Sequence, residues 1–116
     1  MATTARFIVL WDAPQNPAEF DRHYRDVHIP LVRKLPGLRR YTLSANAATV
    51  RGGAPYYRIA ELDFDDLPSL RRAFESAEGQ AVGADASHMA TLARMRSMTY
   101  ELEDVLSDEG HQQHGL

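Results

Sequence analysis

His28 and Tyr24 are the two residues whose types and spacing best suit chemistry. An imidazole titrates near neutrality and serves as a general acid or base. A phenol one helical turn earlier reaches the same ligand by hydrogen bonding. Both lie in the stretch Phe20 to Gly37, the longest amphipathic segment of the chain. With Phe20 at zero and about 100° per residue, Phe20, Tyr24, Val27, Leu31 and Leu35 fall within about a third of the turn. His28 falls at the edge of that stripe, between the directions of Leu35 and Val32. His23 falls outside it, on the side of Pro30 and Lys34, while Arg22, Asp26 and Arg33 point to the wet side. The plainer reading of His28 is a core histidine that bonds a carbonyl freed by Pro30.

Other candidates surround this pair. Trp11 and Tyr41 are expected to line one end of a cleft between sheet and helices, a wall that stacks on a flat or aromatic substrate. Leu31, in the same stripe as Tyr24, is expected to add to the substrate-binding surface. Asp85 and His88 are three apart on a helical segment and are expected to share a face, as a substrate-side Asp–His pair or as a surface pair. His23 and His28 are five apart and point in different directions, so no metal site is expected there. His111 and His114 sit in a polar tail. Among the strand arginines, Arg39, Arg58 or Arg96 is a candidate partner for an acidic group.

Composition narrows the function classes. The chain has 116 residues and a formal net charge of -3, which leaves no basic footprint for nucleic acid and no polybasic patch for a membrane. It has no cysteine, so disulfides, thiolate nucleophiles and iron–sulfur clusters are excluded. The segment Met1 to Arg6 does not read as a signal peptide, and the apolar run Phe7 to Trp11 is far too short to span a bilayer. A cytoplasmic location is the expectation. No Gly-x-Gly-x-x-Gly follows a strand and opens a helix, so no bound organic cofactor is expected; Gly52-Gly53 marks a turn.

The elements that must position these side chains follow from pattern. Phe7 to Trp11 reads as a strand buried on both faces. Asn16 caps a helix with Pro17 at its first position, and Pro30 predicts a kink or break beside His28. Strands are expected over Leu38 to about Ala48, Tyr56 to Phe64 and Arg94 to Glu103. Asp66 caps a helix over Leu67 to Ala77, and Glu78 to Leu92 reads as a short helical segment broken by Gly79 and Gly83. The expected domain covers residues 1–104, followed by a mobile tail over 105–116. The order strand, helix, strand, strand, helix, strand is the ferredoxin-like βαββαβ pattern, an α+β fold with a four-stranded antiparallel sheet. One sheet face then has no cover within the chain, which predicts a homodimer through that open face.

Several stretches resemble the EthD family. Phe20-x-x-x-Tyr24-x-x-x-His28-x-Pro30 followed by Leu35-Pro36-Gly37-Leu38-Arg39-x-Tyr41 is similar to its signature helix and turn. Further similarity lies in Pro55-Tyr56-Tyr57, Ala60-Glu61-Leu62-Asp63-Phe64, and Ser76-x-Glu78-Gly79-Gln80-x-x-x-x-Asp85, so that it runs from about Phe7 to Leu102. The resemblance implies the dimeric α+β barrel, and its motif includes His28. That superfamily holds cofactor-free monooxygenases, lactone isomerases, polyketide decarboxylases and haem-degrading enzymes, and many EthD proteins are labelled oxidoreductases. The expectation is therefore a small enzyme acting on an apolar aromatic, polyketide or lactone-like metabolite, with His28 moving the proton and Tyr24 assisting. Two alternatives stand beside it, a non-catalytic dimeric carrier of a hydrophobic metabolite and a haem-binding or haem-degrading protein with His28 or His88 as axial ligand.

Overall fold

The structure, a computed structural model, describes residues 3–106. His111, His114 and most of the expected tail lie outside the described residues.

Strand β1 (Ala5–Trp11) is the sheet's organising element, pairing antiparallel on both sides. Its aromatic and β-branched residues suit a strand with neighbours on both edges. A helical run follows, made of α1 (Pro17–His23), a π turn (Tyr24–His28) and α2 (Ile29–Val32). Then come β2 (Arg40–Leu43), β3 (Arg58–Phe64), α3 (Leu67–Glu75), α4 (Ala77–Met89) and β4 (Met95–Glu101). The sheet order is β2-β3-β1-β4, all antiparallel, so the chain has the expected ferredoxin-like α+β fold.

The register sorts the side chains between two faces. Phe7 stands opposite Leu62 and Thr99, Val9 opposite Ala60 and Ser97, and Trp11 opposite Arg58 and Met95. These residues face the helices, where Ala5, Ala60, Leu62 and Phe64 pack on Val32, Leu35, Leu70, Ala73 and Val82. A second cluster joins Trp11, Phe20, Tyr24, Met89 and Ala93 at the end of β1. Burying a large side chain such as Phe20 contributes about 1.5–3 kcal/mol. On the other face, Ile8 and Leu10 are half-buried, Met98 is 46% exposed and Tyr100 is 38% exposed. Arg6 crosses that face, donating from Nε and Nη2 to the two oxygens of Asp63 at 2.7 and 2.9 Å and from Nη1 to Glu61 at 3.2 Å.

Local signals explain most boundaries. The Asn16 side chain accepts from the Glu19 N–H at 3.1 Å with Pro17 at the first helical position, and Asp66 accepts from the Ser69 N–H at 2.8 Å. Strand β2 is shorter than the pattern over residues 38–48 suggests. Its pairing ends one bond beyond Leu43, where Ser44 N–H donates to the Ile59 carbonyl, and Asn46 then turns the chain with φ of 58°.

Helix α4 corrects an expectation. Gly79 and Gly83 do not break it, and it runs unbroken for 13 residues. Gly79 is needed for close approach, since a Cβ there would collide with the Ala73 carbonyl and the Phe74 backbone. Ser76 joins the two helices, its hydroxyl donating to the Ala73 carbonyl and accepting from the Gly79 N–H. Arg39 and Arg58 make structural contacts, with Asp65 and with the Ser44 carbonyl respectively.

Candidate active site

The irregular helix builds the site. Pro30 has no N–H to offer and its ring crowds the preceding turn. The helix responds with an i→i+5 turn, in which the Ile29 N–H donates to the Tyr24 carbonyl. A π turn holds one more residue than an α turn, so every position after Tyr24 shifts by one around the axis. His28 therefore takes the inward place that a regular helix gives Val27, and Val32 takes that of Leu31. Val27 is 39% exposed, while His28 and Val32 are buried.

The same shift brings His23 and His28 to one side of the helix, contrary to the expectation from a regular wheel. Both meet Asp85 of α4. The His28 Nδ1–H donates to Asp85 Oδ2 at 2.8 Å, and the His23 Nε2–H donates to Asp85 Oδ1 at 2.8 Å. A carboxylate only accepts, so each bonded ring nitrogen carries the proton. That leaves His28 Nε2 as the nitrogen free for the cavity. The His28 side chain is 8% exposed and that of His23 is 22% exposed, so the carboxylate links a buried imidazole to one nearer solvent.

Asp85 does not pair with His88. The His88 ring lies tilted against His23, with centroids 4.9 Å apart. The spacing of three on one helix gave the local partner, whereas the turn in the first helical run supplied two distant ones.

A cavity of about 210 Å³ lies between the helices and the sheet. Trp11, Tyr24, His28 and Tyr41 all line it, with Phe7, Val9, Val32, Phe74, Gly83, Met95 and Ser97 among the rest. Leu31, Asp85 and His88 are not in its lining: Leu31 was displaced by the π turn, and Asp85 stands behind His28. A dry cavity of about 150 Å³ accepts benzene, so this one suits a compact molecule of one or two rings. Gly83 opens the wall, because nothing lies within 4 Å of where its Cβ would stand.

Burial governs the ionisation of these groups. It pushes the His28 imidazole below its ordinary value, outweighing the hydrogen bond and charge of Asp85, which act the other way. Burial raises the Tyr24 and Tyr41 phenols, so both remain protonated donors at neutral pH. For Asp85, burial acts to raise the pKa, but the hydrogen bonds from His23 and His28 prevail and hold the carboxylate below its ordinary range. The ensemble at neutral pH is a neutral imidazole, backed by a carboxylate, facing an apolar cavity with phenol donors. Such an imidazole can accept a proton and hold it as an imidazolium paired with Asp85.

Sequence reasoning missed His23, Val32, Gly83, Met95 and Ser97. For His23 the available signal was the pair of histidines five apart with a proline two residues beyond the second, which suits a π turn. Among the described residues, no group of three or more His, Cys, Asp or Glu side chains is arranged to hold a metal ion. Among them, too, no helix is long and apolar enough to cross a membrane.

Comparison with known proteins places the chain. The EthD domain model matches residues 13–93. An uncharacterised 11.0 kDa protein of the thcB–thcC intergenic region of Rhodococcus erythropolis is 33% identical over 87 residues, which are 74% of this chain and 84% of that protein. A crystal structure of an ethyl tert-butyl ether degradation (EthD) family protein from Bacillus halodurans superposes with a TM-score of 0.78 at 33% identity, covering 86% of this chain and 99% of the other. SnoaB of Streptomyces nogalater, a cofactor-independent oxygenase, shares the fold with a TM-score of 0.66 at 18% identity, over 92% of this chain and all of the other. A dimeric ferredoxin-like protein of unknown function from Thermobifida fusca shares it with a TM-score of 0.64 at 17% identity, over 88% and 93% of the two chains. By its matched domain and its relatives at one-third identity, this chain belongs to the EthD family.

Proposed function

We propose that the protein is a small acid–base enzyme acting on an apolar aromatic, polyketide or lactone-like metabolite, without a bound organic cofactor. The observation that carries this reading is the 2.8 Å bond from His28 Nδ1–H to Asp85, which orients a buried imidazole with its second nitrogen toward an apolar cavity. Removal of a proton by His28 is the first step shared by isomerisation, by carbon–carbon cleavage next to a carbonyl, and by reaction of an electron-rich anion with oxygen. Oxidoreductase chemistry of the last kind is supported at the level of fold by SnoaB. Tyr24 hydrogen-bonds the substrate, and Trp11 shapes the pocket. A haem macrocycle exceeds a cavity of about 210 Å³, which weighs against that alternative.

The working unit is a homodimer joined through the open sheet face, in the cytoplasm. Exposed Met98 and Tyr100 beside half-buried Ile8 and Leu10 form the apolar surface that a second copy covers, and the Thermobifida fusca fold relative is itself described as dimeric.

The test is turnover of a panel of cyclic ketones, hydroxyaromatics and lactones, followed by mass spectrometry in air and under nitrogen, for the wild type and His28→Gln. Turnover should fall by about 10²–10⁴-fold in the variant, with ligand binding and melting temperature preserved. Full turnover in His28→Gln overturns the assignment. Tight binding by the wild type with no product from any bound compound selects the carrier reading instead.

A further inference from the structure

Asp85 orients the proposed base, and its own carboxylate must be held in turn. The terminal torsion of an aspartate is broad and roughly two-fold, so the side chain alone does not fix the direction of its oxygens. Its neighbours on α4 are Ala84 and Ala86, with Ala81 one turn earlier, and none of these side chains can donate a hydrogen bond. Among the described residues its oxygens accept from two imidazoles, His28 Nδ1–H on Oδ2 and His23 Nε2–H on Oδ1, each at 2.8 Å. One bond on each oxygen fixes the carboxylate in plane and direction, whereas a single bond leaves it free to swing about that contact. His23 does not line the cavity. It borders a hollow on the outer surface, with its ring against His88 at a centroid distance of 4.9 Å. It therefore touches no ligand bound beside His28 and acts only through Asp85.

We propose that His23 is a positioning residue: its Nε2–H anchors Asp85 Oδ1, so that Oδ2 stays on His28 Nδ1–H and the His28 lone pair stays on Nε2, toward the cavity. The inference rests on the acid–base reading above and adds to it the residue that sets the tautomer of the base. A neutral imidazole has two tautomers, and the bond made by one nitrogen decides which is present. In the productive form, Nε2 takes a proton from the substrate, the bonding pair stays on the substrate, and the imidazolium pairs with Asp85. In the other form Nε2 already carries a proton and accepts none. With the anchor gone, Asp85 turns away and His28 divides between the two forms, one of them inert. A plain tie between the helices would contribute stability and leave the tautomer unchanged. The π turn that directs His28 inward also brings His23 onto Asp85, so base and anchor arise from one irregularity.

The experiment is nitrogen-15 NMR of the full-length protein labelled at its histidines, with the His28 signals identified by their loss in His28→Gln. At a pH where the ring is neutral, wild-type His28 should show a single form, protonated at Nδ1 and bare at Nε2. His23→Phe keeps a ring against His88 but cannot donate, and it should populate the Nε2–H form of His28. His23→Gln places an amide N–H where Nε2 stands and should restore the single form. His23→Leu also lacks a donor and gives the same reading should the larger ring not fit. On any compound that the wild type turns over, kcat should fall by about 10–100-fold in His23→Phe and recover in His23→Gln, with KM unchanged. Wild-type His28 protonated at Nε2, a single Nδ1–H form that persists in His23→Phe and His23→Leu, or no recovery in His23→Gln overturns the proposal. The spectra need no substrate, which separates the two readings. An unchanged tautomer with turnover lost in His28→Gln overturns the anchor alone, and the expected spectra with full turnover in His28→Gln overturn the catalytic assignment alone.

Discussion

Asp85 is the residue on which the proposed chemistry turns, although it does not line the cavity. Its two oxygens each accept from an imidazole, and that arrangement demands a carboxylate. An asparagine has one acceptor and one donor group, so in Asp85→Asn one of the two histidines must present a lone pair to the amide. Where that histidine is His28, its proton moves to Nε2 and the base becomes a donor. We expect kcat/KM to fall by about 10²–10⁴-fold in Asp85→Asn. The pH profile supplies a second readout. His28 must be neutral to act as a base and burial depresses its pKa, so wild-type kcat/KM should rise through an inflection below about 6.5. Asp85 acts to raise that pKa while His23 acts to lower it, so losing the Asp85 charge should move the inflection lower still. An inflection that moves upward in the variant contradicts this account of the coupling. His28, Tyr24, Trp11 and Tyr41 were legible in the sequence because each sits on an apolar face beside a turn or kink. His23 was not, because a wheel of constant period places residues five apart on different sides.

At the scale of elements, the two glycines of α4 have opposite functions that their identity does not announce. Sequence treats both as interruptions, because glycine is a poor helix former. The structure separates them by what surrounds the missing side chain. Gly79 lets the first turn of α4 lie against the end of α3, and Gly83 leaves open space at the cavity wall. Gly79→Ala should therefore destabilise the protein by about 1–3 kcal/mol through collision with backbone. Gly83→Ala should stabilise it by up to about 1 kcal/mol through helix propensity, while its methyl group narrows the cavity and weakens ligand binding. Thermal melts with calorimetric titration check the pair. A loss of stability in Gly83→Ala would show that the open space at this position is not free. The strands were legible to within a few residues because an uninterrupted apolar run marks β1 and alternation marks β3 and β4. Strand β2 was overextended because nothing in its alternation anticipates the turn at Asn46.

For the molecule as a whole, the layout followed from element order, since a βαββαβ chain has few ways to pack its helices on one face of a single sheet. The open face was legible too, in the apolar character of both sides of β1. Arg6 with Asp63 and Glu61, by contrast, required the strand register to be seen. We expect an Ile8→Asp/Met98→Asp double variant to sediment as a monomer where the wild type sediments as a dimer. A wild-type monomer across the micromolar range would remove the dimer from the proposed working unit. The π turn bears finally on how this chain tolerates changes in length. Helices seldom accommodate insertions, because one added residue rotates everything beyond it. Here the fold already contains such a residue, absorbed in one wide turn between Tyr24 and His28. Removing one of the exposed residues Arg25 or Asp26 would leave a regular helix with the histidines four apart, still on one face toward Asp85. A shorter relative with His-Tyr-x-x-His at this place is therefore the same site written in one letter fewer.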